Sequence, residues 1–440
     1  MCYIEVISGV FPKWVTGSNN ESAEQGLLQG KRGKSVVTKR IGMKTSGYNE
    51  LPEVRKALNI PEKVYLVDST IRSLQSGVSG GRFTVRDLVE IGKALDGLGV
   101  KELIINLSWK NGLEVVRGLA QENLKSKIVG TFWAWDPSWT KWTEEGIEAG
   151  VDEICFESAP DGQYLRKAAD IVRNHRKTVS HAFGKIYSYQ QVVDLCREGV
   201  KCECQSQSFH DGFFRFAVTP EAVQYLIKSI KKDVKRCPPL YVHFSNFFGQ
   251  ATLTSAAAIV AGATAVDVCM NGIGHHCGHT SLAEIALVLE VLYGVRTGIR
   301  LEKLKEVSRW VEKKSNIPVP FTAPIMGDFS FIIDGAFWAT EAHLPYAKRL
   351  LAKSPFPPDL VGTKDRIIWS DKTATPESLR VKLASMNLRF DEQDVKRVLV
   401  ELKTVLHEKK EYPNWISDSE LGRLCKEILS GKRSRECEIL

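Results

Sequence analysis

From Lys63 onward, short apolar runs and amphipathic stretches take turns along the chain. The runs are VYLVDS (64–69), ELIINL (102–107), KIVGTFWAW (127–135), EICFES (153–158), TVSHA (178–182), KCECQSQS (201–208), YVHFSN (241–246) and TAVDVCM (264–270). Their length and their Val, Ile and aromatic content predict strands. Between them, residues 84–98, 112–124, 139–149, 163–175, 188–199, 219–233 and 250–261 place apolar side chains at three- and four-residue spacing, and a last such segment spans 280–294. That spacing predicts helices with one face buried. Thr84 stands where a helix begins, Thr219-Pro220-Glu221 puts Pro in a first turn, and Gly99, Gly150 and Gly199 stand at helix ends. Eight strands alternating with eight helices over about 230 residues predict an α/β fold of the (β/α)8 barrel type. A doubly wound open sheet is the alternative.

The flanks follow other rules. Residues 1–61 are rich in Gly, Ser, Asn and Lys after a short apolar start, and read as a poorly ordered arm, above all over 17–44. Residues 62–317 form the barrel. Residues 318–440 hold a Pro-, Phe- and Ala-rich segment to 360, read as a lid without strand–helix alternation. Two or three amphipathic helices follow over 376–430.

Composition narrows the classes. A net charge of +8 over 440 residues is mild, and the basic runs at Lys228–Lys235 and Lys432–Arg435 read as solvated faces, not as a nucleic-acid surface. No uncharged apolar run is long enough to span a membrane, and no secretory leader pattern opens the chain, so a cytoplasmic protein is expected. Ten cysteines without a CxxC pair read as free thiols. The terminal Cys437-Glu438-Ile439-Leu440 has the form of a prenylation box, a match too short to carry weight.

In such barrels the C-terminal strand ends carry the chemistry. Here those ends offer Asp68, Arg72, Asn106, Ser108, Trp133, Trp135, Glu157, His181, His210, His243, Ser245 and Asn271, with His275, His276 and His279 just beyond. Alternation along 241–246 puts Tyr241, His243 and Ser245 on one face and Val242 with Phe244 on the other, so His243 is expected to point into the barrel. Likewise Glu203, Gln205 and Gln207 oppose Cys202, Cys204 and Ser206. Trp133 and Trp135 read either as an aromatic wall for a ligand or as loop packing.

AAAIVAGATAVDVCMNGIGHHCGHTSLAEI (256–285), VDSTIRS (67–73), Thr219-Pro220-Glu221 and PFPPDLVG (355–362) together resemble the metal-dependent barrel acyltransferases and lyases, the DRE-TIM family. Its members are the isopropylmalate, homocitrate and Re-type citrate synthases and hydroxymethylglutaryl-CoA lyase. The resemblance covers roughly residues 62–430. It implies a divalent metal that polarises a 2-oxo acid while an acyl-CoA carbon adds to its carbonyl. The implied ligands fall on Ser73, His243, Ser245 and His279, where the family has Asp, His, His and Asn. The lid histidine falls on Ile332 or Ile333.

Neutral serines are poor partners for a divalent ion, so the family's usual metal site is not expected. A remade one would draw on His243, His279 and a neighbour such as Asp68 or His275. Arg72 is kept and is expected to stabilise the oxyanion, with His243 or His181 as base. Asp68, Ser73, Asn106, Trp133, Trp135, Ser245, Asn271 and His279 complete the expected substrate site. No cofactor is required beyond acyl-CoA as substrate. The resemblance implies a homodimer. Two other functions stand beside the acyltransferase or lyase: a silent homologue that binds a metabolite or a catalytic paralogue, and different carbonyl chemistry on the same barrel.

Overall fold

In the computed structural model, which describes residues 45–76, 82–334, 355–364, 366–388, 390–410 and 415–430, eight parallel strands close on themselves. They are β1 (Tyr65–Asp68), β2 (Glu102–Asn106), β3 (Lys127–Trp133), β4 (Glu153–Glu157), β5 (Thr178–Phe183), β6 (Gln207–Phe209), β7 (Leu240–Val242) and β8 (Ala265–Val268). Each pairs with its neighbour in sequence, and β8 returns to β1 with Tyr65 opposite Ala265 and Asp68 opposite Val268. The predicted barrel is therefore the fold. The expected arm up to residue 44 and the terminal Cys437–Leu440 box lie outside the described residues.

Pleating sorts the side chains into two layers. Phe132, Phe156, Phe183 and Phe209 are fully buried between strands and helices. Phe183 stacks on Phe209 at 4.7 Å, and Phe132 meets Phe156 edge-on at 5.3 Å. Burying each such ring stabilises the fold by about 1.5–3 kcal/mol. The opposite face fills the lumen with polar groups that satisfy one another. The Tyr241 hydroxyl donates to Oε1 of Glu102 at 3.2 Å, and Ser180 donates to Glu153. The β7 alternation is as read: Tyr241 and His243 face inward, while Val242 and Phe244 join the outer core.

The helix caps work as expected at Thr84, whose hydroxyl accepts from the backbone N–H of Asp87 while the Asp87 carboxylate accepts from that of Thr84. Gly99 and Gly150 end their helices with left-handed backbone. Thr84→Ala removes half of a reciprocal pair and is expected to cost about 1 kcal/mol, read as a lower urea midpoint at unchanged slope.

Three local readings change. The run at 201–208 is not one strand: the preceding helix continues through Tyr189–Lys201, and β6 begins only at Gln207. Gly199 accordingly lies inside that helix. A Cβ there would come within 1.9 Å of Nε2 of Gln207, so the glycine admits that amide. The last barrel helix is short, Leu282–Leu287, and passes into a wider π turn over Val288–Leu292. Arg72 sits not on β1 but on a following helix, Thr70–Gln75.

Beyond the barrel, β9 (Ile332–Asp334) pairs in parallel with β10 (Arg366–Ile368), a small sheet that the reading of the lid did not include. The helices Pro376–Ser385, Glu392–Glu408 and Asp418–Leu429 then build a separate core from Leu379, Leu383, Val398, Leu402 and Leu421. Among the described residues no helix is long and apolar enough to cross a membrane.

Candidate functional site

The mouth at the C-terminal strand ends opens into a pocket of about 700 Å³. Arg72, Glu157, His210, Asp211, His243 and His279 form its polar part, and Trp109 and Trp133 its apolar wall. Arg72 reaches it from the helix after β1. Its Nη2 lies 2.7 Å from Oε1 of Glu157 at the end of β4, and that oxygen also accepts from the Thr131 hydroxyl at 3.1 Å. Burial alone would raise the Glu157 carboxyl. Arg72, with help from His210, outweighs it and holds the group below the usual range. The pocket wall therefore keeps a paired and largely buried charge, with Nε of Arg72 buried and without a hydrogen-bond partner.

A second polar chain runs from β7 to β8. Nδ1 of His243 lies 3.0 Å from Oδ2 of Asp267, which also accepts from the Ser69 hydroxyl at 2.8 Å. Burial would lower His243, yet Asp267 beside it raises it above the ordinary imidazole value. The His243 ring lies 4.4 Å from that of His279 and 5.2 Å from that of His210. Burial pushes His279 down to about 3 and His210 to about 4, so both rings are neutral at neutral pH.

The structure brings Arg72, Ser73, Trp133, His243 and His279 together around one pocket. It places the other expected residues elsewhere. His181 shares the outer face of β5 with Phe183, 4.6 Å away ring to ring, and its Nδ1 donates to Oε1 of Gln207 at 2.9 Å. It belongs to the layer between barrel and helices and does not line the pocket, so it cannot act there as a base. Asp68 is buried beneath the mouth, where its Oδ1 accepts from the backbone N–H of Thr70. Asn106 accepts from Ser108 and the N–H of Trp109, so it shapes the turn that presents Trp109. Trp135 stacks on Trp133 at 4.9 Å from outside. Asn271 is tied to Ser308 of the helix Leu304–Ser315.

Two of the four positions that the resemblance implies as ligands are serines with other partners: the Ser73 hydroxyl meets Sγ of Cys269 at 3.4 Å, and the Ser245 hydroxyl donates to Asp211. One ligand atom each from Asp211, His243 and His279 falls within 4.8 Å of the others. Asp211 was not among the expected residues. Neither Asp68 nor His275 takes the place foreseen for a third ligand. A hint lay in His210-Asp211-Gly212, a carboxylate two residues past a strand and before a glycine, but only the pairing of β6 with β7 brings it to Ser245.

Comparison with known proteins agrees with the barrel fold. Residues 188–311 match the family model described as HMGL-like. (R)-citramalate synthase CimA of Methanocaldococcus jannaschii is 28% identical over 404 residues, covering 85% of this chain and 76% of that protein. The 2-isopropylmalate synthase of the same organism is 29% identical over 364 residues, 78% and 68% of the two chains. Its homocitrate synthase AksA is 25% identical over 385 residues, 83% and 91% of the two chains. Among solved structures, the HMG-CoA lyase of Bacillus subtilis superposes with a TM-score of 0.51 at 18% identity, covering 59% of this chain and 96% of that one.

Proposed function

We propose that this chain, which belongs to the HMGL-like family of barrel synthases and lyases, joins the α-carbon of an acyl thioester to the carbonyl carbon of a 2-oxo acid. The observation that carries the reading is Arg72, a guanidinium fixed by Glu157 in the wall of the pocket with N–H groups to spare. When a carbanion adds to a carbonyl, the π pair moves onto oxygen. A prepaired, largely buried guanidinium stabilises that developing charge without reorganising.

The donor's α-proton goes to His210, whose Nδ1 has Oε1 of Glu157 at 4.0 Å to balance the imidazolium that forms. Trp109 and Trp133, edge to face at 6.0 Å, receive the side chain of the 2-oxo acid, with Trp135 backing Trp133. A wall of that kind fits an apolar or aromatic side chain better than a methyl group. It makes Trp133 a determinant of acceptor choice.

The alkoxide takes up a proton, and water then cleaves the C–S bond of the condensed thioester to give the acid and free thiol. The test therefore mixes the purified protein with acetyl-CoA and a panel of 2-oxo acids and follows free thiol. Thiol release that depends on the 2-oxo acid is expected, and none with any pair would overturn the reading. Trp133→Ala is expected to lower kcat/KM for a bulky apolar 2-oxo acid roughly threefold to tenfold, the value of one aromatic contact, and to leave pyruvate nearly untouched.

A further inference from the structure

Where the resemblance implies a carboxylate and an imidazole the chain carries Ser73 and Ser245, yet it gathers the same two chemistries from other positions. We propose that Asp211, His243 and His279 form a divalent-metal site in which the carboxylate comes from the loop after β6 instead of from the first strand. The proposal deepens the condensing role given to this pocket and rests on that reading for its purpose, but it is read by metal content and not by turnover.

The first support is the ligand set itself. Two imidazoles and a carboxylate, contributed by three consecutive strand ends, place their ligand atoms within 4.8 Å of one another. The second is an unspent donor atom. Nδ1 of His279 is buried and has no hydrogen-bond partner, which is costly in an interior unless something else uses the nitrogen. The His279 ring is also seated deliberately. A Cβ on Gly274 would fall 1.9 Å from its Cδ2 and 2.4 Å from its Nε2, so only glycine lets the loop fold against that imidazole.

The third support is the layer behind the ligands. Asp267 holds Nδ1 of His243 at 3.0 Å and leaves Nε2 as the ligating atom. A carboxylate behind a ligand histidine fixes its tautomer and increases its basicity. Asp211 is held in turn: its Oδ2 accepts from the Ser245 hydroxyl and its Oδ1 from the Gly212 N–H. Ser245, which stands where the resemblance implies a ligand, thus orients the new one.

Two imidazoles with one carboxylate favour a Zn²⁺-like ion over Mg²⁺, which prefers oxygen alone. On this assignment His243 is a ligand and not the base, which agrees with giving proton transfer to His210.

The experiment strips the full-length protein with a chelator, dialyses it against Zn²⁺ or Mg²⁺ and measures bound metal by mass spectrometry. Co²⁺ absorption serves as a second readout on the unmutated protein. About one Zn²⁺ per chain and a d–d spectrum typical of nitrogen and oxygen ligands are expected. Asp211→Asn is expected to weaken binding at least tenfold, whereas Ser73→Ala leaves it unchanged. No stoichiometric Zn²⁺ or Co²⁺ in the unmutated protein would overturn the proposal, as would Asp211→Asn protein with native circular dichroism and undiminished metal. Thiol release by the chelated protein would refute the metal's role and leave the condensing reading standing. A loaded protein that releases no thiol with any pair would do the reverse.

Discussion

Arg72→Met is expected to lower kcat by about 10²–10³, the loss seen when a donor to a developing oxyanion is removed. The same change leaves Glu157 buried without its cation, and breaking such a pair costs about 3–5 kcal/mol. The two effects have different causes and separate in a double variant. Arg72→Met with Glu157→Gln removes both charges, so stability returns toward the unmutated value while turnover stays low. The stability loss of the single variant also depends on pH. With Arg72 gone, burial is free to raise the Glu157 carboxyl. The carboxyl then ionises only at cost, so the defect is smaller at pH 5 than at pH 8. Urea melts of the three proteins at both pH values, with thiol-release kinetics, test the separation. Full turnover in Arg72→Met would remove the basis of the proposed chemistry.

Glu102→Gln is expected to stabilise the protein at pH 8 by about 2–3 kcal/mol and to change little at pH 5. Glu102 opens β2 at the closed end of the barrel, away from the mouth. Burial first, and then the nearby Glu153, raise its carboxyl to about 7. A folded-state value above the unfolded one means that the folded chain holds the proton more tightly. Its contribution is full below pH 4.5 and is lost as pH rises through 7. A shift of that size corresponds to about 3 kcal/mol. Glutamine keeps an oxygen for the Tyr241 hydroxyl and cannot ionise. Stability measured across this range should slope downward in the unmutated protein and less steeply in the variant, where the buried Asp68 carboxyl, also raised to about 7, keeps part of the slope. Parallel slopes would show that another group governs the titration.

Much of the barrel was legible because its signals are local. A Thr cap, a Pro in a first turn and an apolar stripe each lie within one element, and eight such units in a row leave few topologies. The inward placement of His243 was legible for the same reason, since pleating is a property of neighbouring residues. The errors begin where locality ends. At 201–208 the alternation of Cys, Glu and Gln imitates a strand, although the helix before it runs through Lys201 and is stopped only by Glu203 in left-handed backbone. His181 stands in a strand and is polar, which made it a plausible mouth residue, but its face is that of Phe183. Asp211 had no periodic neighbour to mark it. Its hydrogen-bond partner Ser245 lies on the next strand's loop, and nothing in either segment alone implies that contact. The serines at 73 and 245 were read as losses, yet a serine that orients a carboxylate is a replacement of a kind visible only in three dimensions.

The closing seam between β1 and β8 has a consequence for how the chain is made. Tyr65 finds its β8 partner, Ala265, two hundred residues later. At roughly 5–20 residues per second, a ribosome needs on the order of 10–40 s to cover that distance. Throughout that interval one edge of a finished apolar strand stands without hydrogen-bond partners, the condition under which strands pair with the wrong neighbour. Emergence of residues 265–268 is therefore the moment at which the nascent chain stops offering an open edge and becomes a barrel.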